Sequence, residues 1–269
     1  MRMTRKQPWI SVEEVRHWYD VHAARFDHTT MIERATPDLN AEEQARLNRF
    51  QTSCLYEGGL ISLKGKRVLE FGCGHGRLAI EVPEYESYLG VDVSANLVRM
   101  GNERLARAGL ADRARLVVAD CLAFEGPTEA FDVVCSLGMF AFVTDAAPVL
   151  AKMVSHLKPG GTLFIDGHYA SPLYQSIRRW RWKRMVARGT YPPQRSFGGR
   201  EIRILFAGAG LTDVRLVMLE YALLGMLYAR RGWPQVLRLR DLLARYPVLN
   251  SFGTDFLAMG TKPKGGSPR

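Results

Sequence analysis

The sequence predicts an α/β fold, a parallel sheet with helices packed on both faces, and three observations predict it. From residue 66 onward, short apolar runs alternate with helical segments. The first of these runs passes directly into a glycine-rich turn. The 269 residues are 47% hydrophobic and 24% charged, the balance of a soluble globular chain long enough for one large domain or two small ones. Whole-chain disorder, collagen-like repeats and low complexity are excluded on the same grounds.

The elements follow in order. Residues 11–30 read as an amphipathic helix, with Val12, Val15, Trp18 or Tyr19 and His22 at three- and four-residue steps. Ser11 is its expected N-cap and Glu14 completes a capping box. A second helix spans Ala41–Gly58, capped by Asn40 and stopped by Gly58 and Gly59. The apolar runs Arg67–Phe71, Ser87–Val91, Ala114–Ala119, Phe131–Ser136 and Thr162–Asp166 are then expected strands of repeated βαβ units. Thr212–Glu220 and Thr254–Thr261 read as two further strands, and the Leu- and Arg-rich connection between them as helix-containing. His168–Gly199 carries Pro172, Pro192 and Pro193 and reads as an inserted lid. The tail from residue 262 is expected to be disordered. The chain is divided into an N-terminal helical cap (1–60), a first half to 168, a second half with the lid (169–261) and the tail (262–269).

The segment VLEFGCGHGRLAIEV (68–82) carries the chemistry. Gly72, Gly74 and Gly76 let the backbone turn tightly and approach a ligand without a Cβ in the way. The helix behind them points free N–H groups at that ligand. The nicotinamide fingerprint fails, because the sixth position from Gly72 is Arg77 rather than Gly or Ala. The pattern that fits is acidic-x-Gly-x-Gly-x-Gly, starting at Glu70. Asp92 ends the next run, where a carboxylate can accept from a ribose diol, and Asp120 ends the third, where one can accept from an adenine amine. LKPGGTLFID (157–166) announces the fifth strand with a Pro-Gly-Gly turn.

These segments, in this order and spacing, resemble the class I S-adenosylmethionine-dependent methyltransferases of small-molecule type, strongly over residues 60–168. The resemblance implies a three-layer Rossmann-like sandwich of seven mostly parallel strands, the last antiparallel, with N-terminal helices and a lid. It implies S-adenosylmethionine as cofactor and S-adenosylhomocysteine as product. Gly72, Cys73 and Gly74 would line the methionine moiety with Glu70 nearby. Asp92 and Val93 would hold the ribose, and Asp120 with the Cys121 backbone the adenine. Leu137 would begin the segment flanking the sulfonium. Tyr19, with His22, resembles an aromatic element that folds over the cofactor.

The acceptor side is less specific. The Asn/Asp-Pro-Pro-Tyr/Phe box of enzymes that modify amides and exocyclic amines is absent, since Ser136-Leu137-Gly138-Met139-Phe140 stands there. Met139, Phe140 and Phe142 suggest an apolar acceptor wall. His168, in DGHYAS, is the candidate base for a hydroxyl or phenol, because imidazole titrates near neutrality; a solvent-exposed loop histidine is the other reading. Tyr169 beside it is the weaker candidate. The expected reaction is methylation, at oxygen, of a specialised metabolite, lipid or glycan precursor.

Charge is regional. Residues 178–247 hold 15 Lys and Arg against 4 Asp and Glu, whereas residues 1–177 hold 19 against 22. Arginine makes up 29 of the 37 basic residues, a bias that coding composition can explain, though not the clustering. The lid sequence IRRWRWKRMVARG (177–189) interleaves aromatics with cations, so Arg178, Arg179 and Arg181 are candidates for a phosphate-bearing or lipid-like acceptor. A solvated surface and RNA stacking are the competing readings. An RNA methyltransferase, or a catalytically silent cofactor-binding partner subunit, therefore stand as alternatives. No stretch reaches the ~18 apolar residues of a membrane span, so at most peripheral membrane contact is expected. The four cysteines lack metal spacing and the N-terminus lacks a secretory core, which points to a reducing cytoplasm and no metal site.

Overall fold

The computed structural model describes residues 11–23, 42–43, 61–170, 194–221, 224–232, 235–244 and 253–264. Helix α1 (Val12–His22) is N-capped by Ser11, whose hydroxyl accepts from the Glu14 N–H while the Glu14 carboxylate accepts from the Ser11 N–H at 2.6 Å. The expected capping box thus forms; residues 24–30 of the expected first helix, and almost all of the proposed helix at Ala41–Gly58, lie outside the described residues.

The sheet is built from β1 (Arg67–Phe71), β2 (Ser87–Asp92), β3 (Ala114–Val118), β4 (Phe131–Ser136), β5 (Leu157–Tyr169), β6 (Ser196–Phe197), β7 (Thr212–Tyr221) and β8 (Gly253–Thr261). Its order is β3-β2-β1-β4-β5-β8-β7, with β6 added beside the end of β5. All pairings are parallel except those of β8, which runs antiparallel to both β5 and β7. The topological reversal lies at β1, where β2 and β4 flank it, and its carboxyl-end crevice is where open α/β sheets bind ligands.

Helices α2 (Arg77–Glu81), α3 (Ala95–Arg107), α4 (Ala146–His156), α5 (Gly199–Gly208), α6 (Leu224–Arg231) and α7 (Gln235–Ala244) complete the described elements. Two cores result from the alternation of side chains along the central strands. Leu69, Phe71, Val134 and Ile165 face α4 and α5, and Val68, Cys135 and Phe164 face α2 and α3. Ser94 caps α3 through the Leu97 N–H and Asp145 caps α4 through the Ala147 N–H.

Two expectations are corrected. Strand β5 runs to Tyr169 because its end is paired on both sides, so His168 and Tyr169 lie in the sheet and not in a lid. The tail is ordered at its start, since the Lys262 N–H donates to the Gly161 carbonyl and its carbonyl accepts from Gly160. The lid residues 171–193, with Arg178, Arg179 and Arg181, lie outside the described residues. No described helix is long and apolar enough to cross a membrane.

Candidate active site

The glycine turn after β1 is shaped by residues that only glycine tolerates. Gly72 has φ +73° and a Cβ there would sit 2.5 Å from the Met139 Cβ. Gly74 has φ +53°, but nothing lies within 4 Å of where its Cβ would be. The first glycine is therefore required by packing, and the second opens backbone toward empty space.

That space is a cavity of about 300 Å³ above the carboxyl ends of β1, β2, β3 and β4. Gly72, Gly74, Asp92, Val93, Asp120 and Cys121 lie on its walls. The Asp92 carboxylate accepts from the Gly74 N–H at 2.8 Å through one oxygen and from the Ser94 N–H at 2.9 Å through the other. One lone pair on each oxygen remains, the arrangement that two vicinal hydroxyls need. Burial raises the Asp92 pKa, and the backbone N–H groups of Ser94, Gly74 and Val93 oppose that shift. Asp120 Oδ1 is held by the Leu122 N–H at 2.8 Å, so Oδ2 is the oxygen left for the cavity. Burial pushes the Cys121 thiol up to about 12, which keeps it neutral and leaves its backbone as the polar contact.

Helix α1 closes the cavity from above. The Asp20 carboxylate accepts from the Ser94 hydroxyl at 2.6 Å and from the Asn96 N–H at 3.2 Å, which ties α1 to the start of α3. This places Val12, Val15 and Tyr19 on the cavity wall. The Tyr19 ring stands edge-on to Phe142 at 5.8 Å. Met139, Phe142, Val143, Pro148 and Val149 complete a mainly apolar side, which Thr144 and Asp145 also line.

Several residues expected at the site lie elsewhere. Glu70, Cys73 and Leu137 are buried beneath the cavity, not on it. Glu70 accepts a hydrogen bond from the Tyr88 hydroxyl on β2, and burial pushes its pKa up to about 8, so at neutral pH it is a protonated strut. Phe140 is corrected from acceptor wall to core. It is fully buried with its ring 6.2 Å from Phe197, and Phe142 takes the wall position because the Phe140–Phe142 segment is a single helical turn.

His168 and Tyr169 do not line the cofactor cavity either. They are linked to it through β5. Asp166 accepts from the Gly138 N–H at 2.6 Å, and Gly138 is on the cavity wall. His168 lies two residues further along β5, on the same face as Asp166. Its Nδ1 is 2.6 Å from Asp255 Oδ1, because the antiparallel register sets His168 opposite Asp255 on β8. Its Nε2 meets the side-chain amide of Gln194. The imidazole is thus clamped at both nitrogens, with a carboxylate behind it. Burial pushes the Asp166 carboxyl up to about 7. Asp255, Gln194, Asp166, Tyr88 and Asp20 were not found by sequence reasoning, since each acts across 18 to 87 residues of chain.

Basic residue Arg195, from the cationic stretch, is tied down. It donates to the Thr144 carbonyl at 2.8 Å, pairs with Glu201 and lies over the Phe197 ring at 4.5 Å.

A glycine turn with open backbone, an acid at each of the next two strand ends and a crevice at the sheet's reversal fit an adenosyl cofactor. Comparison with known proteins agrees. Residues 68–161 match the family model described as a methyltransferase domain. A ubiquinone biosynthesis O-methyltransferase of Ralstonia nicotianae is 31% identical over 163 residues, covering 59% of this chain and 68% of that protein. The chain belongs to the class I S-adenosylmethionine-dependent methyltransferases. It is an enzyme of the small-molecule type, with S-adenosylmethionine as its cofactor. Among solved structures, the geranyl diphosphate C-methyltransferase of Streptomyces coelicolor, bound to geranyl diphosphate and S-adenosylhomocysteine, superposes with a TM-score of 0.66 at 15% identity. That match covers 96% of this chain and 100% of that one. The [4+2]-cyclase SpnF reaches 0.64 at 18% identity, over 96% of this chain and 98% of its own. These two likenesses are of fold, and the second shows that this fold hosts other reactions.

Proposed function

We propose that this methyltransferase acts at the oxygen of a small, largely apolar hydroxylated acceptor, with a phenolic ring as the best fit. The observation that carries the reading is the composition of the cavity. Most of its polar groups gather around the glycine turn, Asp92 and Asp120; on the opposite wall Met139, Phe142, Val143, Val12 and Val15 are apolar, and the one acid there, Asp145, is engaged in capping α4. The likeness to an O-methyltransferase of ubiquinone biosynthesis supports the same acceptor chemistry.

In this reading Gly72 and Gly74 leave room for the methionine moiety, Asp92 and Val93 take the ribose, and Asp120 with the Cys121 backbone takes the adenine. Tyr19 covers the bound cofactor from α1. S-adenosylmethionine supplies a methyl already activated on a sulfonium. The chain must add alignment, exclusion of water and a place for the acceptor proton. Helix α1 and the apolar wall supply the first two. His168 Nε2, which stands off the cofactor cavity, supplies the third only to an acceptor that extends from the cavity toward the end of β5, and Asp255 at Nδ1 would stabilise the imidazolium that forms. Gln194 occupies Nε2 now, so the acceptor hydroxyl must displace or turn its amide. Tyr169 is the further candidate on the acceptor side, and Arg178 and Arg181, which lie outside the described residues, are candidates for an anionic group on the acceptor.

The test is transfer of labelled methyl to simple and prenylated catechols, with the product's mass and fragmentation locating the methyl on oxygen. A methyl on carbon or nitrogen, or label appearing in RNA, would overturn the reading. Cofactor binding without transfer to any extract component would favour the silent partner subunit.

A further inference from the structure

A second cavity, of about 260 Å³, lies at the amino-terminal edge of the sheet, at the far end of β1 and β5 from the glycine turn. Its floor is apolar: Ile61, Val133, Phe164 and Met259 line it, and all four are buried. Its rim carries three lysines, Lys66, Lys158 and Lys264, and one acid, Asp132.

The charges do not cancel. Lys158 pairs with Asp132 at 2.8 Å, and the same carboxylate accepts from the Arg67 N–H at 2.9 Å. Asp132 is thereby satisfied. Lys262 nearby is also committed, to Glu129 at 2.8 Å and to the Leu157 carbonyl at 2.9 Å. The ammonium groups of Lys66 and Lys264 make no hydrogen bond or ion pair among the described residues. Lys264 is laid across the Pro159-Gly160-Gly161 turn, its Cε 2.9 Å from where a Cβ on Gly160 would stand. One carboxylate, Asp132, which feels the charge of both Lys158 and Lys66, therefore stands against three ammonium groups over a concave apolar floor. Like charges gathered at one rim repel, and an anion between them relieves that repulsion.

We infer that this cavity binds a small phosphomonoester carrying an apolar body, at a site separate from the cofactor crevice. A phosphomonoester brings close to two negative charges at neutral pH, which matches Lys66 and Lys264. The organic group would lie on Phe164 and Met259, where burial of its apolar surface adds to the electrostatic attraction. The ligand makes no demand on His168, Asp92 or any other residue of the methyl-transfer site.

Phenyl phosphate is the probe, titrated calorimetrically into full-length protein saturated with S-adenosylhomocysteine, so that the crevice is already filled. The expected result is saturable millimolar or tighter binding. Inorganic phosphate should bind more weakly, phenol not measurably, and added salt should weaken all binding. The Lys66→Ala/Lys264→Ala double variant should lose at least tenfold in affinity. Its unchanged affinity for S-adenosylhomocysteine would show that it folds. Arg99→Ala, which removes a cation on the exposed face of α3, should bind as the unmodified protein does. Amide shifts on phenyl phosphate addition should centre on Gly160, Gly161, Thr162 and Lys264. An unmodified protein that takes up no phenyl phosphate overturns the assignment. So does a double variant that binds equally well, or a shift pattern centred elsewhere.

Discussion

The two halves of the sheet assemble their polar groups in different ways. On the β1–β4 side each such group sits within three residues of the end of its own strand: Gly74 after β1, Asp92 on β2, Asp120 after β3 and Gly138 after β4. Their mutual placement follows from parallel pairing alone, so a pattern of strand, glycine and acid specifies them. On the β5–β8 side the groups meet across the chain. His168 finds Asp255 through antiparallel register, and Gln194 reaches it from 26 residues further along the chain. In the proposed reading, cofactor recognition is thus written in short local segments, and acceptor chemistry in long-range pairing. One half can stay constant while the other changes.

The sharpest test of that division is His168→Ala. Loss of a general base should lower turnover about 10²–10⁴-fold and leave S-adenosylhomocysteine affinity alone. Asp255→Asn should fall in the same direction by less, because it removes the imidazolium's partner and not the base. Single-turnover methyl transfer beside calorimetry separates the two quantities. Normal turnover in His168→Ala would leave alignment as the whole mechanism on the β5–β8 side and favour an amine or carbon nucleophile.

Asp92→Ala is the counterpart in the other half. It removes a charged acceptor from two hydroxyls and should weaken cofactor binding by about 2 kcal/mol, since such bonds are worth roughly 1.5–3 kcal/mol. It also strips the Gly74 and Ser94 N–H groups of their partner. Gly74→Val should do worse, because it combines an unfavourable backbone with a side chain in the cofactor's space. Unchanged affinity in both, with the fold intact, would place the cofactor elsewhere.

How far the sequence could be read follows the same line. The strands β1–β4, the capping box of α1 and the antiparallel last strand were all legible, because each is marked by a local run, a cap or a family spacing. Strand β6 was not, since two residues between prolines and glycines carry no period. The overrun of β5 to Tyr169 was hidden for the same reason. Its end is strand only because β6 and β8 pair with it. Glu70 shows a subtler limit. Its position in the motif was plain, but its burial against Tyr88 was not.

That burial has a measurable sign. The Glu70 carboxyl moves from an ordinary value near 4.5 to about 8 in the folded chain. The unfolded chain therefore releases this proton first as pH rises. Stability is fully present below about pH 4.5 and declines toward pH 8, at up to about 1.4 kcal/mol per pH unit for one such group. Asp166, raised to about 7, acts in the same direction over the lower part of that window. Urea midpoints between pH 5 and 8 should fall in the unmodified protein and fall less steeply in Glu70→Gln. Identical slopes would mean that Glu70 is ionised in the folded state.

The smallest expected effect concerns the cationic lid. Exposed ion pairs contribute about 0.2–1 kcal/mol each, so neutralising Arg178, Arg179 and Arg181 together should raise the KM of an anionic acceptor several-fold. Turnover at saturation should be nearly kept, because attraction that is equal in the ground and transition states acts on KM alone. Added salt should mimic this variant, since screening weakens exposed charges, and should not mimic His168→Ala. The two changes then separate by parameter, the arginines in KM and the clamped imidazole in kcat. Arg195 sharpens the contrast further. It belongs to the same basic stretch, but it is spent on the Thr144 carbonyl, Glu201 and the Phe197 ring. Arg195→Gln should therefore cost stability and leave the salt dependence of KM unchanged. If the triple variant leaves KM unchanged while Arg195→Gln alters it, the anion-binding role moves from the lid to the anchored segment beside Phe197.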